Sequence, residues 1–363
     1  MEKSLNSGTT AYNIAPSRSG YTMASSHPIE SMATTTSTNP PQSDLRLGWI
    51  GLGSMGNAMA KNIHKHLLSR GYEPLRFFNR TASRGDALEA LGGIRCRDVA
   101  QVASESDVIF ISASDDQAVE SIIEQILGSG DIAGKIIVDT TTIHPDTTKA
   151  LTAKLREKGA EFAATPVFGA TPVAEEGRLL VAFGGPKAVH DKISPFLTGV
   201  IGREVLIVGE EPQKAILLKT AGNFLLAGLM ELIAEAHVFA EKTGLGSAML
   251  ERLLELNFGT LAHSDSVRMT SGVYAPSKDQ SPWSDLDLEL KDVRHGVDCA
   301  AQAGVQLKVA NTALENLKKA KEYSKQNGCR KLDSSSLYGV VRQDAGLDFR
   351  TELVRKRDGD GDE

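Results

Sequence analysis

The stretch Gly51-Leu52-Gly53-Ser54-Met55-Gly56 constrains this chain more than any other, because of what lies on either side of it. Residues 45–50 before it read as a buried strand, and residues from Ser54 to about Leu68 read as a helix. A glycine turn at a strand–helix joint has a definite physical use. Gly51 permits the tight turn, Gly53 lets a phosphate approach the backbone, and Gly56 lets the helix pack on the strand. The free N–H groups and partial positive charge of the helix start then face the phosphates. In this context Gly51, Leu52, Gly53, Ser54, Met55 and Gly56 point to a bound dinucleotide.

The pattern continues downstream. A second strand is predicted over 75–79, and short β-branched runs follow at 108–111 and 135–138, with a helical stretch over 117–127 between them. Further strands are expected at 161–164, 179–183 and 204–208. Strands alternating with helices of this size imply a parallel sheet. After Gly209 the pattern changes. Residues 213–242 carry no proline and read as one long helix, and 248–255, 285–303 and 309–327 keep a helical period. The expected fold is α/β: an N-terminal Rossmann-type doubly wound domain over 45–208, a long connecting helix, and an all-α C-terminal domain over 209–350. Residues 1–44 are rich in Ser, Thr and Pro and read as a disordered extension. Residues 351–363 read as a charged tail, expected to fray from Arg355.

Composition removes several function classes. A net charge of −6, with no basic cluster interleaved with aromatics, argues against nucleic acid or a membrane surface as partner. No apolar run is expected to reach the roughly 18 residues of a bilayer span. Cys96, Cys299 and Cys329 share no short spacing, so neither a disulfide framework nor a cysteine metal site is expected. Reduced thiols suit a cytoplasmic protein, with mitochondria as the alternative. The eight histidines are scattered without ligand spacing, His64 and His66 read as a solvated helix face, and no metal is expected.

The end of the second strand selects the cofactor. Phe78-Asn79-Arg80-Thr81 lacks the carboxylate that would hold the ribose hydroxyls of NAD. Arg80 offers a fork to a 2′-phosphate and Asn79 and Thr81 offer hydrogen bonds, so NADP(H) is expected before NAD. Two more strand ends, Ser112-Ala113-Ser114-Asp115 and Asp139-Thr140-Thr141-Thr142, face the same crevice. Either lines the nicotinamide half of the cofactor or caps a helix.

Within the long helical stretch, Lys219 and Asn223 stand four apart and share a face. Gly222 beside them leaves room for a ligand, and Ile216, Leu217, Leu218, Leu225 and Leu226 are expected to desolvate the lysine. A lysine in a helix is far more often a snorkelling surface residue than a catalyst. The constellation decides otherwise. The glycine turn, Asn79-Arg80-Thr81, Asp139 to Thr142, Pro166 to Ala170 and Lys219…Asn223 follow one another in an order and spacing that resembles the β-hydroxyacid dehydrogenases. That group contains 3-hydroxyisobutyrate dehydrogenase and the glyoxylate/succinic semialdehyde and tartronate semialdehyde reductases, and the resemblance covers residues 45–349.

The resemblance implies an oxidoreductase in which Lys219 is the acid/base and Asn223 binds substrate. It also implies that Thr142 contacts the cofactor, that Lys291 of the Lys291-Asp292 pair lies by nicotinamide and substrate, and that the chain forms a dimer or tetramer. One departure stands out. The family's substrate loop commonly reads Asp-Ala-Pro-Val-Ser-Gly-Gly, and here it is Ala164-Thr165-Pro166-Val167-Phe168-Gly169-Ala170. Phe168 removes a hydroxyl and adds bulk, while the N–H groups of Gly169 and Ala170 remain to grip an anion. The implied substrate is a small β-hydroxy acid or its semialdehyde, bulkier or less polar than usual. Two other readings are an imine reductase on the same fold, which usually lacks this lysine, and a non-catalytic NADP-binding interaction protein that has lost it.

Overall fold

A computed structural model describes residues 45–359; the extension expected over 1–44 lies outside the described residues, as do 360–363. Among the described residues, one sheet holds nine strands: β1 (Leu47–Ile50), β2 (Arg76–Phe78), β3 (Ile94–Arg95), β4 (Val108–Ile111), β5 (Ile136–Asp139), β6 (Glu161–Ala164), β7 (Val167–Phe168), β8 (Leu179–Gly184) and β9 (Gly202–Gly209). Helices α1 (Ser54–Ser69), α2 (Asp86–Ala90), α3 (Val99–Glu105), α4 (Asp116–Leu127), α5 (Pro145–Glu157), α6 (Thr171–Glu175) and α7 (Lys187–Ile193) alternate with them.

Strands β3-β2-β1-β4-β5-β6 run parallel in that order. This is the doubly wound arrangement, and it puts the carboxyl ends of β1, β2, β4 and β5 on one edge. The central strands are buried on both faces because helices cover both, which explains why they are apolar throughout but for Asp139 at the end of β5. The expectation of a wholly parallel sheet fails beyond β6. Strand β8 is antiparallel to both β6 and β7, pairing Ala164 with Gly184, Val167 with Val181 and Phe168 with Leu180 in one register. Thus β6 and β7 are one strand interrupted at Thr165-Pro166, where proline cannot donate to the ladder. The break carries Phe168 to the site.

Helix α8 (Pro212–Thr243) has proline at its first position and ends on Gly244 in the left-handed conformation, φ 75°. Contrary to expectation, it is long and apolar enough to cross a membrane, with mean hydropathy 1.5 over 18 residues. Here it is the axis of the molecule. Its first half packs on α5, β6 and β8, and further along it meets α9 (Ser247–Asn257), α10 (Gly259–Thr270), α11 (Leu286–Gln302), α12 (Lys308–Gln326) and α13 (Leu337–Asp344). Ala227, Met230, Ile233 and Ala234 enter the helical core there.

Two further expectations are corrected. The tail does not fray from Arg355: α14 (Glu352–Asp358) buries Val354 against Gly272, and Arg330 pairs with Asp358 at 2.5 Å. His64 is not on a solvated face. It is buried, its Nδ1 accepts from the Leu75 N–H at 3.3 Å, and its Nε2 lies 3.0 Å from the Leu91 carbonyl.

Candidate active site

The glycine turn is closed by its own backbone. Gly51 has φ 99°, and a Cβ there would lie 2.1 Å from the Ser112 carbonyl oxygen. A Cβ at Gly56 would lie 2.4 Å from the Gly51 oxygen, so α1 can approach β1 only with glycine there. Gly53 differs: a Cβ would meet nothing within 4 Å, so open space lies over the backbone. No side chain caps α1, whose first N–H groups, from Ser54 and Met55 on, stay available to an anion. These features fit the pyrophosphate of a dinucleotide.

Asn79 belongs to this turn more than to its surface. Its Oδ1 accepts from the Leu52 N–H at 2.7 Å and its Nδ2 donates to the Thr81 carbonyl at 2.8 Å. The hydrogen bonds expected for the cofactor are thus largely spent on holding β1 to β2. Arg80 and Thr81 are exposed, and Arg80 forms no ion pair among the described residues. At the β4 end, the Ala113 N–H donates to Thr141 Oγ1 at 3.0 Å and Ser114 donates to Asp115. Asp115 is the N-cap of α4, so the capping alternative holds for it.

Lys219 lies a helix away in sequence. Its Nζ sits 4.7 Å from the centre of the Phe168 ring, and burial holds its pKa below the ordinary lysine value, against the opposing pull of Asp292 and Glu289. The residues expected to desolvate it mostly do not, since Leu217, Leu218 and Leu225 are exposed. Desolvation comes from the fold, with Phe168 over the amine. Gly222 also differs from expectation. A Cβ there would lie 2.4 Å from Phe168 Cε1, so the room beside Lys219 is taken by the ring.

Helix α11 supplies the rest. Asn223, buried, donates to Asp292 at 2.6 Å, and Asp292 also pairs with Lys291 at 2.6 Å. Lys291 Nζ donates in turn to the Thr142 carbonyl, which ties the helical half to the end of β5. Thr142 therefore contributes its carbonyl to this ladder, and Gly169 (φ 132°) and Ala170 lie on the loop after Phe168, where Ala170 is the N-cap of α6. One turn further along α11, His295 approaches Asp116 at 3.4 Å and stacks edge-on with His144.

Two buried acidic residues were given no role of their own by the sequence reading. Asp139, at the end of β5, is fully buried; it accepts from the Thr141 N–H at 2.9 Å, and burial pushes its pKa up to about 7. Glu289 is buried on the α8 side of α11 and is pushed up to about 8. The available signal was the three-residue spacing from Glu289 to Asp292, which puts both on one helical face.

The likenesses agree with this geometry. Residues 46–209 match the NAD binding domain of 6-phosphogluconate dehydrogenase, and residues 214–341 match the NAD-binding region of NADP-dependent 3-hydroxyisobutyrate dehydrogenase. The chain is 32% identical over 300 residues to an NADH-dependent oxidoreductase of Aspergillus ustus, covering 82% of this chain and 99% of that one. It is 28% identical over 305 residues to glyoxylate/succinic semialdehyde reductase 1 of Arabidopsis thaliana, covering 82% and 99% respectively. The fold matches a Mycobacterium tuberculosis 3-hydroxyisobutyrate dehydrogenase with a TM-score of 0.68 at 20% identity, over 82% of this chain and 99% of that one. On its cofactor-binding sheet, its helical half and these relatives, the chain belongs to the β-hydroxyacid dehydrogenase family and is an NAD(P)-binding oxidoreductase.

Proposed function

We propose that the protein interconverts a small β-hydroxy acid and its semialdehyde, with NADP(H) as cofactor and Lys219 as the acid/base. The observation that carries this is the desolvated Lys219 amine under Phe168, flanked by Asn223 and the Lys291–Asp292 pair. With its pyrophosphate on the glycine turn, a bound reduced cofactor would supply the hydride. Lys219 Nζ gives a proton to the oxygen that becomes the hydroxyl, and takes it back in oxidation. Asn223, fixed by Asp292, orients that oxygen. Gly169 and Ala170 offer backbone N–H groups to the acid's carboxylate. Phe168 gives the pocket an apolar wall where the family carries serine, which suits a substrate with an aliphatic body.

The exposed Arg80 fork, with no carboxylate beside it to hold ribose hydroxyls, supports NADP(H) over NAD(H). A homodimer is also proposed. Leu218, Leu225, Leu232 and Phe239 recur every seven residues along α8 and are exposed, Leu225 and Phe239 at 66% and 63%. Leu256, Phe258 and Leu261 extend this apolar surface onto α9 and α10.

A spectrophotometric panel tests the reading. Glyoxylate, succinic semialdehyde, methylmalonate semialdehyde and 3-hydroxyisobutyrate are each tried with both cofactors, beside a cyclic imine. Turnover of a semialdehyde or its hydroxy acid, faster with NADP(H), is expected. Reduction of the imine alone would assign the site to C=N chemistry.

A further inference from the structure

The groove where α12 and α13 pack on α8 has no part in the chemistry described so far. It holds a cavity of about 450 Å³, the size of an ordinary small-molecule pocket. Glu231 and Glu235 on α8, Thr312 and Asn316 on α12, and Val341 on α13 line it. Glu231 stands about 18 Å along α8 from Lys219, so the cavity is separate from the candidate active site. Its polar groups are out of balance. Asn316 directs its Nδ2 at Glu231 Oε1 at 2.6 Å, and Thr312 donates its hydroxyl to the Lys308 carbonyl at 3.2 Å. Lys319, the one lysine of the lining, is paired with Asp344 at 3.1 Å, and Glu315 with Lys318 at 2.7 Å. The groups left over are acceptors. Glu231 is 2% exposed, and its Oε2 has no hydrogen-bond partner among the described residues. Glu235, one turn further on, forms no ion pair among the described residues, and like charges at this spacing repel.

We propose that this groove is a separate binding site for a small aliphatic amine, its ammonium group held by Glu231 and Glu235. An excess of acceptors calls for a guest that only donates, and two unanswered carboxylates call for a cation. A primary ammonium is both, with three donors and no acceptor. A metal ion suits the lining less well, since no three His, Cys, Asp or Glu side chains among the described residues come close enough to share one. Val341 gives the carbon body of the amine an apolar wall. Uptake is linked to pH. Burial pushes the Glu231 carboxyl up to about 7; Glu235 on its own helix and Asp344 on α13 add to the shift, while Asn316 and Lys319 on α12 oppose it. The guest binds the carboxylate, so below that pH Glu231 must first release its proton, and affinity falls as pH falls. An aliphatic ammonium keeps its own charge over this range.

The probe is n-butylammonium chloride, titrated into the full chain at low ionic strength and followed by saturation-transfer NMR. Saturable binding is expected at pH 8, about tenfold weaker at pH 6. Glu231→Gln keeps an acceptor for Asn316 and removes the charge. It should weaken binding at pH 8 about 10- to 100-fold, the worth of a charge-assisted contact, and abolish the dependence on pH. Glu235→Gln, at an exposed position, should weaken binding at both pH values and serves where Glu231→Gln does not fold. No saturable binding by the parent chain overturns the proposal, as does binding by both variants equal to the parent's. Binding of n-butanol as tight as that of n-butylammonium overturns it too, because the carboxylates would then play no part. Displacement of the probe by magnesium chloride at concentrations below the probe's own dissociation constant would give the groove to a metal ion, and so contradict the assignment.

Discussion

The Phe168 ring closes over the Lys219 amine and fills the space that any side chain at position 222 would need. Gly222→Ala therefore forces the ring away. We expect a stability loss of about 1–3 kcal/mol, read by denaturant unfolding, together with a lower kcat from a less desolvated lysine. Both the role of Gly222 and the source of the desolvation of Lys219 were misjudged from sequence for one reason. Neighbours in a helix are not neighbours in the fold: Leu217, Leu218 and Leu225 are exposed, and the covering group comes from β7, about fifty residues earlier. At Arg80 the sequence argument needed only a strand end, and the side chain is exposed and forms no ion pair among the described residues. Arg80→Ala should lower kcat/KM for NADPH about 10- to 100-fold, the worth of a charge-assisted contact, with little change for NADH. An unchanged cofactor preference would remove Arg80 from phosphate recognition.

Among the elements, strands flanked by helices on both faces were legible because burial on both sides writes short, largely apolar runs, as in β1, β4 and β5. The long helix α8 was legible from the absence of proline over 213–242. The two-residue strands β3 and β7 left no period to read, and the reversal at β8 depends on which edge the chain meets, which local pattern does not encode. The charged end misled in the same way, because Val354 and Asp358 find partners far back in the sequence. The buried end of β5 carries a prediction of its own. Asp139 keeps its proton to about pH 7 in the folded chain, above the ordinary aspartate value of 3.8. Its contribution to stability is present below the unfolded pKa and is lost as pH rises through the folded one. Asp139→Asn keeps the acceptor for the Thr141 N–H and abolishes that loss. Its melting temperature should match the parent near pH 4 and exceed it at pH 8, and equal melting temperatures at both would contradict the buried titration.

At the scale of the whole molecule, the two halves are joined by α8 and by a polar ladder running from Asn223 through Asp292 and Lys291 to Thr142. That ladder places the helical half's amine at the carboxyl edge of the sheet, where the glycine turn and the strand ends also lie. The apolar stripe on the outer face of α8 gives the molecule a surface to share with a second copy. Leu225→Glu with Leu232→Glu is expected to yield a monomer in light scattering where the parent chain is expected to run as a dimer. A parent chain that is monomeric at micromolar concentration would contradict that assignment.

The most direct test of the account compares Lys219→Met with the parent chain in steady-state turnover of the best semialdehyde and in fluorescence titration of NADPH. With proton transfer vested in that amine, kcat should fall by about 10²–10⁴-fold while the NADPH dissociation constant stays within about twofold. Turnover near the parent rate, with the cofactor equally well bound, would show that the proton comes from elsewhere.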